Sequence, residues 1–381
     1  MSRAIRRGEG MTTMPVTIFL CGDVMTGRGI DQILPHPVDP ILYEPSIRDA
    51  RAYVRLAEEQ AGRIAAPVAF DYIWGEALEV LERVRPAARL INLETSVTTS
   101  RDSWEGKGIH YRMHPANLRC LTSAGIDCCS LANNHALDWG YAGLLETLRT
   151  LEGAGIKAVG AGKSARLAAE PVALDAGEGR RVLVFAYGSL TSGVPPEWAA
   201  TPERPGVNFL PELSGAAVRE IAATVGRHAR AGDVIIISVH WGGNWGYTIP
   251  REQVEFAHGL IDRAGVDVVH GHSSHHVKGL EVYKDRLILY GCGDFLNDYE
   301  GIEGHEAYRP DLVLMYIAEL ATADRSLVGL EMFPFQIRNF RLNRVTAEEA
   351  NWLARRMDRE CRRFGRQVEV SNRGYLTLQQ P

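Results

Sequence analysis

The chain has 381 residues, 45% hydrophobic and 23% charged, a composition that excludes a disordered, collagenous or small disulfide-stapled protein. With 42 basic and 47 acidic residues the net charge is −5, so no global positive field points to nucleic acid or a membrane surface as partner. This length holds one large α/β domain or two of average size, and buries a core without staples.

The opening residues, MSRAIRRGEGMTTMP, are basic, and the apolar run after them (Val16–Cys21) is too short for a signal-peptide core. Residues 1–14 carry no fold pattern and read as a flexible N-terminal segment, with Met11 and Met14 as alternative starts to Met1. No stretch approaches the roughly 20 apolar residues of a spanning helix. The expectation is a chain without a membrane anchor, located in the cytoplasm.

Short apolar runs then alternate with helical patterns. Strand candidates are VTIFLCGD (16–23), ARLINLE (88–94), DCCSLANN (127–134), KAVGAG (157–162) and RVLVFAYG (181–188). DVIIISVHW (233–241), VDVVHGH (266–272) and RLILYGCGD (286–294) follow. Continuous apolar runs of this kind suit strands buried on both faces. Helical patterns cover about 73–85, 140–154, 214–231 and 250–264, and the alternation argues α/β with parallel pairing. Residues 35–70 read as an insertion and the Pro-rich segment 194–211 as a surface loop. After 310 the pattern becomes antiparallel, and residues 347–365 form an amphipathic closing helix. The expected organisation is one domain over 15–310, completed by the strands and helix of 311–381. The six cysteines show no CxxC pair and read as buried free thiols of a reducing compartment.

The polar residues cluster where these strands end. The first strand ends in Asp23, the second in Asn92-Leu93-Glu94, and the third in Asn133-Asn134-His135. Later ones end in His240 and in His270-Gly271-His272, with His275 and His276 just beyond. Open α/β sheets bind ligands beyond the carboxyl ends of their strands, so five such ends converging make one oxygen- and nitrogen-rich pocket. Carboxylate, amide and imidazole together suit a hard or borderline divalent cation. Each residue alone has an ordinary reading. Asp23 could cap a helix, Glu94 could be solvated, His240 could be a satisfied core histidine, and the later histidines could form a solvated loop. The turn GDVMTGRGI matches neither GxGxxG nor the P-loop.

The motifs GDVMTGRG (22–29), INLETSVT (91–98), SLANNHALDWG (130–140), VHWGGNWGY (239–247), VHGHSSHHVKGLEVY (269–283) and LILYGCGDFLNDYEG (287–301) resemble, in order, those of the CapA family of poly-γ-glutamate capsule biosynthesis. That family is related to calcineurin-like metallophosphoesterases. The resemblance implies a four-layer α/β/β/α sandwich with a metal centre at the strand ends. It implies Asp23, Glu94, Asn134, His240 and His272 as the metal shell, with His275 as the last histidine of the GHxxH element. His135 would be the acid near a leaving group. Arg112, in HYRMHP (110–115), sits where an anion-recognising residue could lie, or a surface ion pair.

Two departures shape the functional expectation. Metallophosphoesterases open with Asp-x-His, whereas Asp23 is followed by Val24 and Met25, and Met25 is a poor ligand for a hard cation. Asn92-Leu93-Glu94 also replaces the bridging aspartate element. One divalent ion (Ca, Mg, Mn or Zn) is therefore expected rather than a full two-metal clamp. Capsule proteins of the family are tied to the membrane, and the lack of an anchor here weakens a capsule role. A branch resembling the family epimerises a residue of a ribosomal peptide, as in lasso-peptide maturation. The favoured expectation is thus a peptide epimerase, with His135 and His275 as acid/base groups and Asp23 and Asp294 as carboxylate partners. The alternative is a metal-dependent hydrolase of a phosphoester, poly-γ-glutamate or a γ-glutamyl amide, and the third reading is a non-catalytic binding module. Trp241, Trp245 and Tyr247 form a candidate aromatic wall for a peptide or polyglutamate-like substrate, with core packing as the alternative.

Overall fold

A computed structural model of the protein describes residues 14–379, so the N-terminal segment, Met1 and Met11 among it, lies outside the described residues except for Met14. Two large sheets organise the chain. The first runs in the order Val368–Val370, Leu376–Leu378, Leu327–Arg338, Leu312–Leu320, Val16–Val24, Ala88–Leu93, Cys128–Ser130, Lys157–Val159, with Asp294–Leu296 added beside Val16–Val24. The second runs Phe209–Leu210, Arg181–Ser189, Val234–His240, Val268–His272, Arg286–Leu289, Leu280–Tyr283. Pairing is parallel from Val16–Val24 through Lys157–Val159, and from Arg181–Ser189 through Arg286–Leu289.

Side-chain alternation explains the stacking. Along Val234–His240, Val234 and Ile236 enter a cluster shared with the first sheet, whereas Ile235, Ile237 and Val239 point to the other face. Successive strand residues face opposite sides, so a continuously apolar run supplies two cores at once. In the first sheet Ile18 and Leu20 face the shared cluster, and Phe19 and Cys21 face outward. The outer face of the second sheet is covered by the helices Gly215–His228 and Arg251–Ala264 through Val218, Ile221, Phe256 and Leu260. That of the first is covered by Tyr53, Trp74, Leu144 and Leu151, among others. The molecule is an α/β protein in which two facing sheets carry helices on their outer faces.

The C-terminal strands extend the first sheet, because Leu312–Leu320 pairs antiparallel with Val16–Val24 from Val16 opposite Leu320 to Leu20 opposite Tyr316. The closing helix Ala347–Cys361 starts at a capping box between Thr346 and Glu349 and buries Leu353, Met357 and Cys361 in the shared cluster.

Three segments differ from the sequence expectation. The strand of 127–134 stops at Ser130, because the chain turns there to carry Asn133, Asn134 and His135 across the strand ends. The Pro-rich segment 194–211 is more than a surface loop: Val194 and Trp198 are fully buried, and its short strands Gly206–Val207 and Phe209–Leu210 pair with Ala161–Gly162 and Arg181–Ser189. The run 286–294 divides between the sheets, with Arg286–Leu289 in the second and Asp294–Leu296 in the first. This crossing depends on glycine. Gly293 has φ +80°, and a Cβ on Gly22 would meet its carbonyl oxygen at 1.6 Å. All six cysteines are buried and free. No helix among the described residues is long and apolar enough to cross a membrane.

Candidate metal centre

Strand register assembles the centre. Asp23 lies opposite both Asn92 and Asp294 in the first sheet, and His240 lies opposite His272 in the second. The two sets of carboxyl ends meet at Asp23, whose Oδ1 is 3.8 Å from His272 Nδ1. Asn92 donates from Nδ2 to Asp23 at 2.7 Å and to Glu94 at 3.3 Å. Asn133 in turn donates to Asn92 Oδ1 at 3.0 Å and so fixes which way that amide faces. Glu94 Oε1 is 3.7 Å from His135 Nε2 and 3.8 Å from His240 Nε2, and Asn134 Oδ1 is 3.0 Å from His240 Nε2. On the other flank, His275 Nδ1 is 2.9 Å from Asp294 Oδ1, and Asn297 donates to the second Asp294 oxygen at 2.7 Å.

Two groups of possible ligands result, Asp23 with His240 and His272, and Asp23 with His275 and Asp294. In each, one donor atom per residue lies within 4.8 Å of the others. They share Asp23. The expectation of a single ion rests on Met25 and on Asn92-Leu93-Glu94; at the first of these, Asp294 supplies an oxygen donor beside Asp23 and His275, while the Met25 sulfur accepts from the Tyr299 hydroxyl at 3.7 Å.

The donor chemistry fits a divalent cation. Asp23, Glu94 and Asp294 are buried together, and among the described residues their salt bridges are to histidines alone, not to lysine or arginine. Burial, with Asp294 adding to it, pushes Asp23 up to about 7, and burial with Asp23 and Asp294 beside it holds Glu94 well above the usual carboxyl range. Burial likewise keeps His240 and His272 well below the ordinary imidazole value, which leaves them neutral and able to coordinate. Three crowded buried carboxylates with neutral imidazoles beside them and no lysine or arginine paired to them offer the donors that a hard or borderline divalent cation takes.

His135 stands at the rim. Its Nδ1 is 2.7 Å from Asp138 Oδ2 and 3.0 Å from Lys107 Nζ, and Lys107 Nζ forms an ion pair with Asp138 Oδ1 at 2.6 Å. Asp138 can thus accept Nδ1–H and leave Nε2 facing Glu94. His135 and His275 each retain 7% exposure, whereas Asp23 and His272 have none, so the rim histidines mark the side open to solvent.

The structure therefore brings together Asp23, Glu94, Asn134, His135, His240, His272, His275 and Asp294. Trp245 and Tyr247 lie alongside, their rings 5.5 Å from His275 and 4.5 Å from His276. Arg112 is not at the centre: its guanidinium stacks 3.7 Å from the Trp139 ring and donates to the carbonyls of Ser100 and Asp39. Trp241 is core, not wall. It follows His240 by one residue, so alternation turns it to the helix-covered face, where its indole donates to Tyr290 O at 2.9 Å. Lys107 and Asp138 went unrecognised in the sequence. Asp138 lies three residues after His135, a spacing that could have exposed it, but Lys107 sits in an irregular stretch with no pattern to find it.

Two stacked sheets whose strand ends converge on carboxylates and imidazoles define an α/β protein with a candidate metal centre. Residues 17–299 match the family described as "Bacterial capsule synthesis protein PGA_cap", and the chain belongs to that family. It is 48% identical over 354 residues, 93% of each chain, to a "Probable polyglutamine synthesis accessory protein" found in two strains of Mycobacterium tuberculosis. It is 24% identical over 284 residues to the "Capsule biosynthesis protein CapA" of Bacillus anthracis, covering 74% of this chain and 60% of that one. Among solved structures, a "novel phosphatase" from Mycoplasma pneumoniae aligns at 10% identity and TM-score 0.44, covering 85% of this chain and 95% of that one.

Proposed function

We propose that the protein is a metal-dependent hydrolase that cleaves amide bonds of a glutamyl polymer. The observation that carries this reading is the pair of ligand groups sharing Asp23 beside the His135–Asp138 pair. The names of the relatives, which concern polyglutamine and capsule synthesis, supply the substrate class. Asp23, Glu94, Asn134, His240 and His272 would hold one divalent cation, of magnesium, manganese, zinc or calcium type, and Asp23, His275 and Asp294 a second. Such cations supply Lewis acidity and lower the pKa of water at the site. His135 moves the proton: with Nδ1 fixed on Asp138, its Nε2 accepts one as the bond is attacked and returns it to the leaving nitrogen. Lys107, paired with Asp138 and donating to Ile109 O, keeps Asp138 ionised.

The test is to strip the protein with a chelator, reload it with each cation, and follow glutamate release from γ-glutamyl oligomers beside p-nitrophenyl phosphate. Metal-stimulated release that disappears in Asp23→Asn is expected. No cleavage of the oligomers with any cation would overturn the reading. Peptide epimerisation is a second reading, favoured by one observation, that His135 and His275 each pair with a carboxylate. In D₂O it predicts deuterium at one Cα without cleavage, whereas hydrolysis predicts cleavage without exchange. A binding module would do neither.

A further inference from the structure

The C-terminal helix carries a charge pattern that the metal centre does not use. Between residues 355 and 366 stand six arginines and only two acids, Asp358 and Glu360, in a chain whose net charge is −5. The acids are already paired, Asp358 with Arg362 at 2.8 Å and Glu360 with Arg356 at 3.5 Å. Arg355, Arg359 and Arg363 are exposed and belong to no salt bridge among the described residues. Leu353, Met357 and Cys361 anchor the opposite face in the core shared by the sheets, so these arginines project from a fixed support.

This face is joined to the metal centre by the segment after His240. The Arg356 guanidinium lies 4.1 Å over the Tyr247 ring, and Arg363 donates to Ile249 O at 3.1 Å. Tyr247 packs on His276, and Trp245 on His275, the outer ligand candidate. A path thus leads from His275 over Trp245 and Tyr247 to the arginines.

We infer that this arginine face is a landing track for the polyglutamyl chain on its way to the metal centre, an inference that rests on the polymer substrate proposed above. Arg355 and Arg359 are separated by one helical turn, about 6 Å of rise. In a γ-linked glutamyl chain every unit keeps a free carboxylate on Cα, so the polymer presents a regular row of negative charges to successive guanidinium groups. Planar guanidinium groups suit carboxylates better than point charges do. The aromatic rings between the track and the centre offer flat surfaces for the backbone methylenes of the same polymer.

The experiment compares the full chain with its R355Q/R359Q variant, using fluorescently labelled poly-γ-glutamate of defined length at low and physiological salt. The expected result is roughly tenfold weaker polymer binding and a shallower salt dependence in the variant, with unchanged melting temperature and unchanged cleavage of a single γ-glutamyl amide. Polymer affinity unchanged in the variant overturns the inference. So does single-stranded DNA of equal charge that binds the wild type as tightly and loses as much in the variant, because the face would then be a general polyanion surface. Binding is scored without turnover, so failure of the wild type to cleave any glutamyl amide sinks the hydrolase reading and leaves this result to stand or fall separately.

Discussion

The two rim histidines make the same first contact and end in opposite states. His135 and His275 each place Nδ1 on a carboxylate oxygen, at 2.7 Å and 2.9 Å. Burial lowers both. At His135 the pull of Asp138 is opposed by the Lys107 and Arg28 cations, and the ring is held down at about 4. At His275 burial is outweighed by Asp294 with Asp23 behind it, and the ring rises above its usual value. What surrounds a histidine–carboxylate pair, more than the pair itself, decides whether it keeps a lone pair for proton transfer or sits where positive charge is wanted. One end of the pocket already contains its cation, Lys107, and the other is arranged to receive one.

The comparison can be broken experimentally. Asp23→Asn, which removes the carboxylate charge common to both ligand groups, is expected to have the largest effect. It should abolish metal-dependent turnover and release bound metal, read by elemental analysis beside the activity assay. Next come the rim histidines themselves. His135→Asn should lower turnover by about 10² to 10⁴ with metal content intact, whereas His275→Asn should lose metal together with activity. Equal metal loss in the two variants would erase the distinction. Asp138→Asn replaces a charged acceptor by an amide that can also turn its NH2 to the ring and favour the other tautomer, and should cost about 10- to 100-fold in kcat, again without metal loss. Lys107→Met should have the smallest effect, about tenfold or less in kcat, with the acidic limb of the pH profile moved up as the cation that holds the His135 ring down is lost. An Asp294→Asn variant that retained its full metal content would remove the second ligand group from the proposal.

The layers of the fold were legible because runs such as Val234–Ile237 are apolar at every position, as strands buried on both faces require. The cluster was legible because Asp23, Glu94, Asn134, His240 and His272 stand at strand ends, where a parallel sheet aims its ligands. Trp241 and Arg112 were misplaced for one reason. Residue type suggested a role, but direction is set by alternation and by neighbours, and Trp241 is one step out of phase with His240. Asp294 could be read as a carboxylate partner and not as a ligand beside Asp23. Its position depends on the chain leaving one sheet and entering the other, which no local pattern records.

That crossing at Gly293 has a mechanical consequence. Asp294 belongs to the first sheet, and His240 and His272 to the second, so ions held among them with Asp23 would act as rivets through the seam between the layers. An ion that binds the folded state alone adds its binding free energy to the folding equilibrium. Demetallation should therefore raise hydrogen exchange first along Val16–Val24 and Val268–His272, with Gly215–His228, on the far side of the second sheet, following last.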